Sequence, residues 1–329
     1  MIPVDKARIS VIIPCYNGWK YIQKCFEHLE NQSVLPYEVI VIDDCSTDDS
    51  FQRIEDYSKV SKLNIILQRN ITNSGPGKSR QLGISVASGQ YLSFCDSDDW
   101  FEKDFVESIQ NAVNGNQPDL ILFDNYIVFE DGKRYRQNRT AHMKNANKND
   151  FLIESNLSLW RIVAKAELFQ NLTHVDLRHE EDSVLVIQLL SKASSIDVID
   201  NAYYNYFFRE GSLSKKDSPD IYKDERSAFY IIENFLKSDY PEETEFIGVR
   251  YICYSSVLYA LRAGVKRADI KLVIDEFERK YPFWFKNKYI CSLPIAKRTF
   301  IQCVRHKALC LAKVLASFHH IMAKLKRFA

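Results

Sequence analysis

The sequence has no stretch approaching the ~18 consecutive apolar residues that a membrane-spanning helix needs. Its first strand-like segment begins at Ile9, too early for a charged n-region, an apolar h-region and a cleavage site. Secretion and membrane spanning are therefore not expected, and a cytoplasmic location is. No C-x-x-C pair occurs among the eight cysteines (Cys15, Cys25, Cys45, Cys95, Cys253, Cys291, Cys303, Cys310). That excludes the usual zinc and disulfide frameworks and leaves scattered, reduced thiols, several inside apolar runs. Repeats and low-complexity segments are missing as well. From Lys286 to the end there is no Asp or Glu, while ten Lys or Arg occur there. The remaining 285 residues carry 34 basic and 43 acidic side chains, so an acidic body precedes a basic tail.

What is present is a folded chain. Hydrophobic residues at 46% and charged residues at 26% are near globular averages, and 329 residues suit one large α/β domain with additions, or two domains. The first 215 residues alternate short β-branched runs with helical periodicity, the mark of a sheet built from strand–helix units. Strands are expected at Ile9–Pro14, Glu38–Asp43, Asn64–Leu67, Tyr91–Asp96 and Leu120–Phe123. Tyr21, Ile22, Cys25, Phe26 and Leu29 recur at helical spacing in a helix ending near Asn31. Ser46-Thr47-Asp48-Asp49 suggests a capping box before a helix through Phe51, Ile54 and Tyr57. Asp131-Gly132 suggests a hairpin turn, and Leu190 to Phe208 a helix end, a strand and then an aromatic strand. Beyond a boundary near Ser214–Pro219, long helices are expected over Asp220–Lys237, Thr244–Arg262, Asp269–Arg279 and Lys297 to the end. The expected division is 1–215 and 216–329.

Acidic residues cluster where strands finish. Asp43 and Asp44 close one apolar run; Asp96, Asp98 and Asp99 close another. The carboxyl ends of parallel strands are where open α/β sheets bind ligands, and crowded carboxylates there suit a hard cation bridging to phosphate. Solvated turns and helix caps are the alternative. Gly75-Pro76-Gly77-Lys78-Ser79 is not a P-loop, because Thr72 stands where glycine is required, and it is not a dinucleotide fingerprint either. What remains is a loop opening a helix over Ser79–Ala87, whose first amides, with Lys78 or Arg80, could meet phosphate. His179-Glu180-Glu181-Asp182 precedes the stripe Val184, Ile187 and Leu190; acidic residues there would ordinarily complement a helix dipole. Arg209 follows an aromatic strand, as a phosphate clamp or a surface charge.

Taken together, residues 8 to 215 resemble glycosyltransferase family 2, the nucleotide-sugar-dependent enzymes of GT-A fold. The resemblance rests on Ser10–Asn17, on Glu38–Asp49 with Cys45 where glycine is commoner, on Asn73–Ile84, on the D-x-D segment Tyr91–Trp100, and on Leu159–Asp182 with its closing Glu-Asp pair. It implies an α/β fold with a mostly parallel mixed sheet and a helical C-terminal extension. It implies nucleotide-sugar binding by Pro14, Tyr16, Asp44, Arg80, Asp96 and Arg209, with Tyr16 against the base, Asp44 on a pyrimidine imide and Asp96 near the ribose. Uridine is the base implied, although Asp44 does not exclude thymidine. Asp98 is implied to hold Mn²⁺ or Mg²⁺ with Asp96, and Asp99 as a substitute. Asp182 is implied to be the general base of an inverting transfer, with Glu181 positioning the acceptor, although the one-residue choice between them stays open. The acceptor implied is a glycan or a lipid-linked sugar of cell-surface polysaccharide synthesis.

On a helical wheel centred on Leu311, Phe300, Val304, Leu315, Phe318, Met322 and Leu325 fall within about 40°, and Arg298, Arg305, Lys313, Lys324 and Arg327 lie opposite. Residues 295–329 thus read as a basic amphipathic helix that contacts an anionic membrane surface, or that docks its stripe on the body. A nucleic-acid partner is not expected, since no recognition module accompanies the charge. Two other classes compete: an idle nucleotide-sugar-binding scaffold and a sugar nucleotidyltransferase. The acidic pairs weigh against the first, and the lack of a glycine-rich basic loop after the first strand against the second.

Overall fold

The computed structural model describes residues 6–138, 140–154, 158–173, 175, 177, 179–209 and 221–325, without the side chains of Ala141 and 318–325. The chain divides into two compact units, Met1–Ser212 and Leu213–Ala329. The boundary expected at Ser214–Pro219 and the run Glu210–Ser214 lie outside the described residues.

The first unit runs β1 (Ile9–Cys15), α1 (Trp19–Glu30), β2 (Glu38–Asp43), α2 (Ser50–Ser58), β3 (Ile65–Arg69), α3 (Gly75–Val86), β4 (Tyr91–Phe94), β5 (Trp100–Phe101), α4 (Phe105–Asn116), β6 (Leu120–Phe129), β7 (Arg134–Gln137), α5 (Lys148–Ile153), β8 (Ile162–Lys165), α6 (Glu181–Lys192) and β9 (Ile196–Phe208). One sheet holds all nine strands in the order β3-β2-β1-β4-β8-β6-β9-β5, with β7 on β6. The half β3-β2-β1-β4 is parallel, and the remainder mixes both directions. Every residue of β1, β2 and β4 is buried, as strands covered on both faces must be, which is why they read as unbroken apolar runs. Pro14 is tolerated in central β1 because the ladder with β4 has ended at Ile12–Phe94, so its missing N–H leaves no partner stranded.

α1 buries Ile22, Cys25, Phe26 and Leu29, the spacing of one helix face. α3 comes closest to the sheet at Gly83, where an added Cβ would stand 2.4 Å from Ile12 Cγ2. The hairpin turns as expected, with Gly132 at φ +82°.

Three local expectations are corrected. The capping box is absent: α2 starts after Asp49, and the Ser46 hydroxyl instead accepts from the Asn17 N–H at 2.9 Å, tying the turn to the end of β1. β6 continues past Phe123 to Phe129, because buried Asp124 is neutralised by Arg161 at 3.3 Å and bonded by the Thr140 N–H at 2.9 Å. Residues 196–208 form one strand rather than two, its register shifted where it passes Phe123–Asn125.

The second unit is helical: α7 (Ile221–Leu236), α8 (Pro241–Gly248), a π-helical stretch Val249–Ser256 running into α9 (Val257–Arg262), α10 (Arg267–Lys280), α11 (Ile295–Arg305) and α12 (Leu309–Leu325). The expected continuous tail helix is broken, since Lys307 adopts φ +54° and starts α12 on a new axis. No helix among the described residues is long and apolar enough to cross a membrane.

Candidate active site

In the parallel half, β2 and β4 flank β1 on opposite sides, so the chain's winding reverses at β1 and a crevice opens beyond the carboxyl ends of β1 and β4. Tyr16 follows β1 and the acidic loop 96–99 follows β4, while Asp44 follows the neighbouring β2. The loop is tethered from β9: Asp96 N–H donates to the Tyr204 hydroxyl at 3.0 Å, and that hydroxyl donates to Asp99 at 2.6 Å. Tyr204 is itself stacked on Trp160, centroids 4.4 Å apart.

Asp99 is thereby turned inward. Its carboxylate takes the Tyr204 hydroxyl and the Phe207 N–H at 2.7 Å, and only 1% of the residue is exposed. Burial and the charges of Asp96 and Asp98 push its carboxyl well up. Both Asp99 oxygens are thus already bonded within the protein. Asp98 is met by Arg209, whose Nε donates at 2.8 Å while its guanidinium covers the Tyr21 ring at 4.5 Å. Burial first, then Asp96, raises the Asp98 carboxyl, and Arg209 opposes them.

Asp44 is engaged from within. It accepts from the Ser74 N–H (2.8 Å), the Gly75 N–H (2.7 Å) and the Asn70 amide (2.7 Å), and so caps α3. Three of a carboxylate's roughly four acceptor positions are occupied. The helix expected from Ser79 begins at Gly75, so Gly75–Gly77 is its first turn rather than a loop, and the Ser74 and Gly75 amides are taken by Asp44. Tyr16 stands 46% exposed past β1, and among the described residues no hydrogen bond joins it to the acidic cluster.

The centre of the site is Arg80. Its guanidinium donates to Asp182 Oδ1 at 2.7 Å, to Glu181 Oε1 at 3.3 Å and to Asp96 Oδ1 at 2.8 Å. Residues 16, 101 and 102 positions away in sequence are thus gathered on one cation. Burial raises the Asp182 carboxyl while Arg80 pulls it back down. Glu181 is pushed up to about 8, by burial and then by Asp182. Both carboxyl groups are raised by burial, and the one guanidinium they share opposes the rise in each. The residue before them, Glu180, sits at φ +69°, a strained entry to α6. Beside Asp182 an open cleft of about 400 Å³, counted out to solvent, runs between α3 and α6. Gln81, Thr173 and Glu181 give it polar edges; Ile84, Val175 and Leu185 form its apolar wall.

Asp44 follows β2 and the Asp98–Arg209 pair joins the loop after β4 to the end of β9, none of them lining that cleft, while Arg80 joins Asp96 to the Glu181-Asp182 pair. Tyr204, which anchors the acidic loop, was missed: an alternating aromatic strand names a face of the sheet, not which hydroxyl crosses to another loop. Among the described residues no group of three or more His, Cys, Asp or Glu forms a ready metal site.

The sequence pattern described as "Glycosyl transferase family 2" matches residues 10–173. The chain is 27% identical to "Glycosyltransferase GlyA" of Streptococcus pneumoniae over 63% of its own length, spanning 32% of that protein. It is 28% identical to the "Poly(ribitol-phosphate) beta-N-acetylglucosaminyltransferase TarS" of Staphylococcus aureus over 96% of its own length, spanning 53% of that relative. The solved structure of S. aureus TarS 1–349 in complex with UDP-GlcNAc superposes with a TM-score of 0.73, at 24% identity, over 95% of this chain and 91% of that one. That likeness is one of fold: the mixed sheet with flanking helices and the helical C-terminal region are shared.

Proposed function

Because the chain belongs to glycosyl transferase family 2, we propose that it is an inverting glycosyltransferase carrying a sugar from a nucleotide-sugar, UDP-linked, to a hydroxyl of a glycan or lipid-linked acceptor in cell-surface polysaccharide synthesis. One observation carries the proposal. The loop at the end of β4 and the acid pair opening α6 share a single buried guanidinium, so donor-side and acceptor-side groups meet in one place. The relatives named as glycosyltransferases, and the neighbour bound to UDP-GlcNAc, support the choice of donor.

Asp182 takes the proton of the acceptor hydroxyl as that oxygen attacks the anomeric carbon from the face opposite the nucleotide. Glu181, whose carboxyl is pushed up by burial and then by Asp182, positions the acceptor. Asp44 keeps one acceptor position for the base's imide N–H, Tyr16 and Pro14 face the base, and Asp96 lies near the ribose. Arg209, released from Asp98, closes on the diphosphate.

Divalent cations that share their shell with a diphosphate need only one or two protein carboxylates. Asp98 with Asp96 beside it fits that requirement, because the two repel and a cation relieves the repulsion. When bound, Mn²⁺ or Mg²⁺ supplies neutralising charge on the departing diphosphate.

The test is a panel of nucleotide sugars incubated with the protein and Mn²⁺. Free nucleoside diphosphate is the expected product. A nucleotidyltransferase would instead release pyrophosphate when given a nucleoside triphosphate and a sugar 1-phosphate, and no product with retained binding would indicate an idle scaffold.

A further inference from the structure

Arg80 is only 6% exposed, and its guanidinium already meets three carboxylates from two separate elements. α3 reaches them because Gly77 lies on the same helix face one turn earlier. A Cβ there would stand 2.9 Å from Glu181 Cγ, so glycine lets α3 and the start of α6 approach each other. The planar fork of an arginine matches the arrangement, one terminal nitrogen on Asp182 and the other on Asp96. Turning that fork toward a diphosphate would leave Asp96, Glu181 and Asp182 facing one another without a counter-charge, an arrangement that buried acids tolerate poorly. Among the described residues no hydrogen bond reaches Asp182 Oδ2, so the clasp on Oδ1 fixes the carboxylate while leaving its other oxygen for a proton.

We propose that Arg80 is a positioning residue, not a nucleotide ligand: it clasps the base Asp182 to the donor-side Asp96 and so fixes where the proton acceptor stands relative to the sugar donor. This rests on the glycosyltransferase reading above, and it replaces the nucleotide-binding role that the resemblance implied for Arg80. Arg80 acts through Asp182 on the chemical step, and donor affinity depends little on it. A lysine retains the positive charge but is a point donor that cannot span both carboxylates.

The full-length Arg80→Lys protein is compared with wild type for UDP binding by calorimetry in Mn²⁺, and for kcat and KM in hydrolysis of the nucleotide sugar selected by the panel. The expected result is a kcat lowered about 100-fold, the scale of a misplaced catalytic group, with the UDP dissociation constant and donor KM within about threefold of wild type. A larger effect on UDP affinity than on kcat, or an unchanged kcat, overturns the proposal. If the lysine variant does not fold, a crystal structure of wild type with UDP decides the matter. Arg80 remaining on Asp182 and Asp96 supports the clasp; Arg80 on the diphosphate overturns it. Wild-type protein that neither binds UDP nor hydrolyses any nucleotide sugar would instead remove the glycosyltransferase reading itself.

Discussion

Single side chains in this site are defined by what neutralises them. Asp98 and Asp182 are each held by one arginine, at 2.8 and 2.7 Å, and neither is the sole partner of a structural element. Asp98→Ala and Asp182→Asn are therefore each expected to lower transfer at least 1,000-fold, or about 4 kcal/mol of barrier, while the folded state survives. Nucleoside diphosphate release by either purified variant at near-wild-type rate would refute its role. Glu181 makes a separate prediction through pH. Its carboxyl is raised from 4.5 to about 8 in the folded protein. Between those values the unfolded chain has released this proton and the folded chain has not, so the contribution is full at low pH and is lost as pH rises through that window. Glu181→Gln cannot ionise. Its melting temperature should fall less than that of wild type between pH 5 and pH 8, and parallel slopes for the two proteins would show that Glu181 does not carry the effect.

Elements position these side chains through close backbone approach. Gly83 seats α3 on β1, and Gly83→Ala drives a methyl to 2.4 Å from Ile12 Cγ2. Overpacking of that kind costs about 1–3 kcal/mol, so a melting temperature lowered by several degrees is expected, with a matching loss of activity only where α3 shifts Arg80. An unchanged melting temperature would mean that the helix–sheet contact relaxes freely. Elements like these were readable in the sequence because burial leaves a periodic trace: β1, β2 and β4 appear as apolar runs, and α1 as a stripe at helical spacing. Cys45 was a further clue. Glycine is commoner at its place in the resembling pattern, and the structure gives the reason, a φ of +60°. Lys307, also at positive φ, and Leu309 spoil the pattern of the helical wheel, but a misplaced lysine does not by itself announce a backbone break, so the wheel ran through the junction of α11 and α12. Acidic clusters at strand ends were legible as positions in the chain. The separate surroundings of neighbours Asp98 and Asp99 were not, because Arg209 holds one while Tyr204 and Phe207 of a distant strand bury the other.

At the scale of the whole molecule, the open question is the basic tail. The wheel placed Phe300, Val304 and Leu311 on one stripe, but Phe300 and Val304 are buried in the second unit, at 3% and 0% exposure, whereas Leu311 is 53% exposed. The stripe therefore divides: α11 docks on its own unit, and α12 turns Leu311 and Val314 outward beside Lys313. Phe318, Met322 and Leu325, and the charges of Lys324, Lys326 and Arg327, fall outside the described side chains. Removing residues 295–329 would strip core residues along with surface ones, so it cannot isolate membrane contact. Charge reversal can: Lys313→Glu combined with Lys324→Glu, Lys326→Glu and Arg327→Glu leaves α11 intact. Each basic residue near an anionic surface contributes about 1 kcal/mol, so wild type is expected to sediment with phosphatidylserine vesicles at low salt and the reversed variant to stay in solution. Because screening shortens at higher ionic strength, the wild-type association should weaken between about 0.05 and 0.5 M salt. Equal sedimentation of both proteins would assign α12's outward apolar residues to something other than a lipid surface, and would remove the tail from any account of how a lipid-linked acceptor is met.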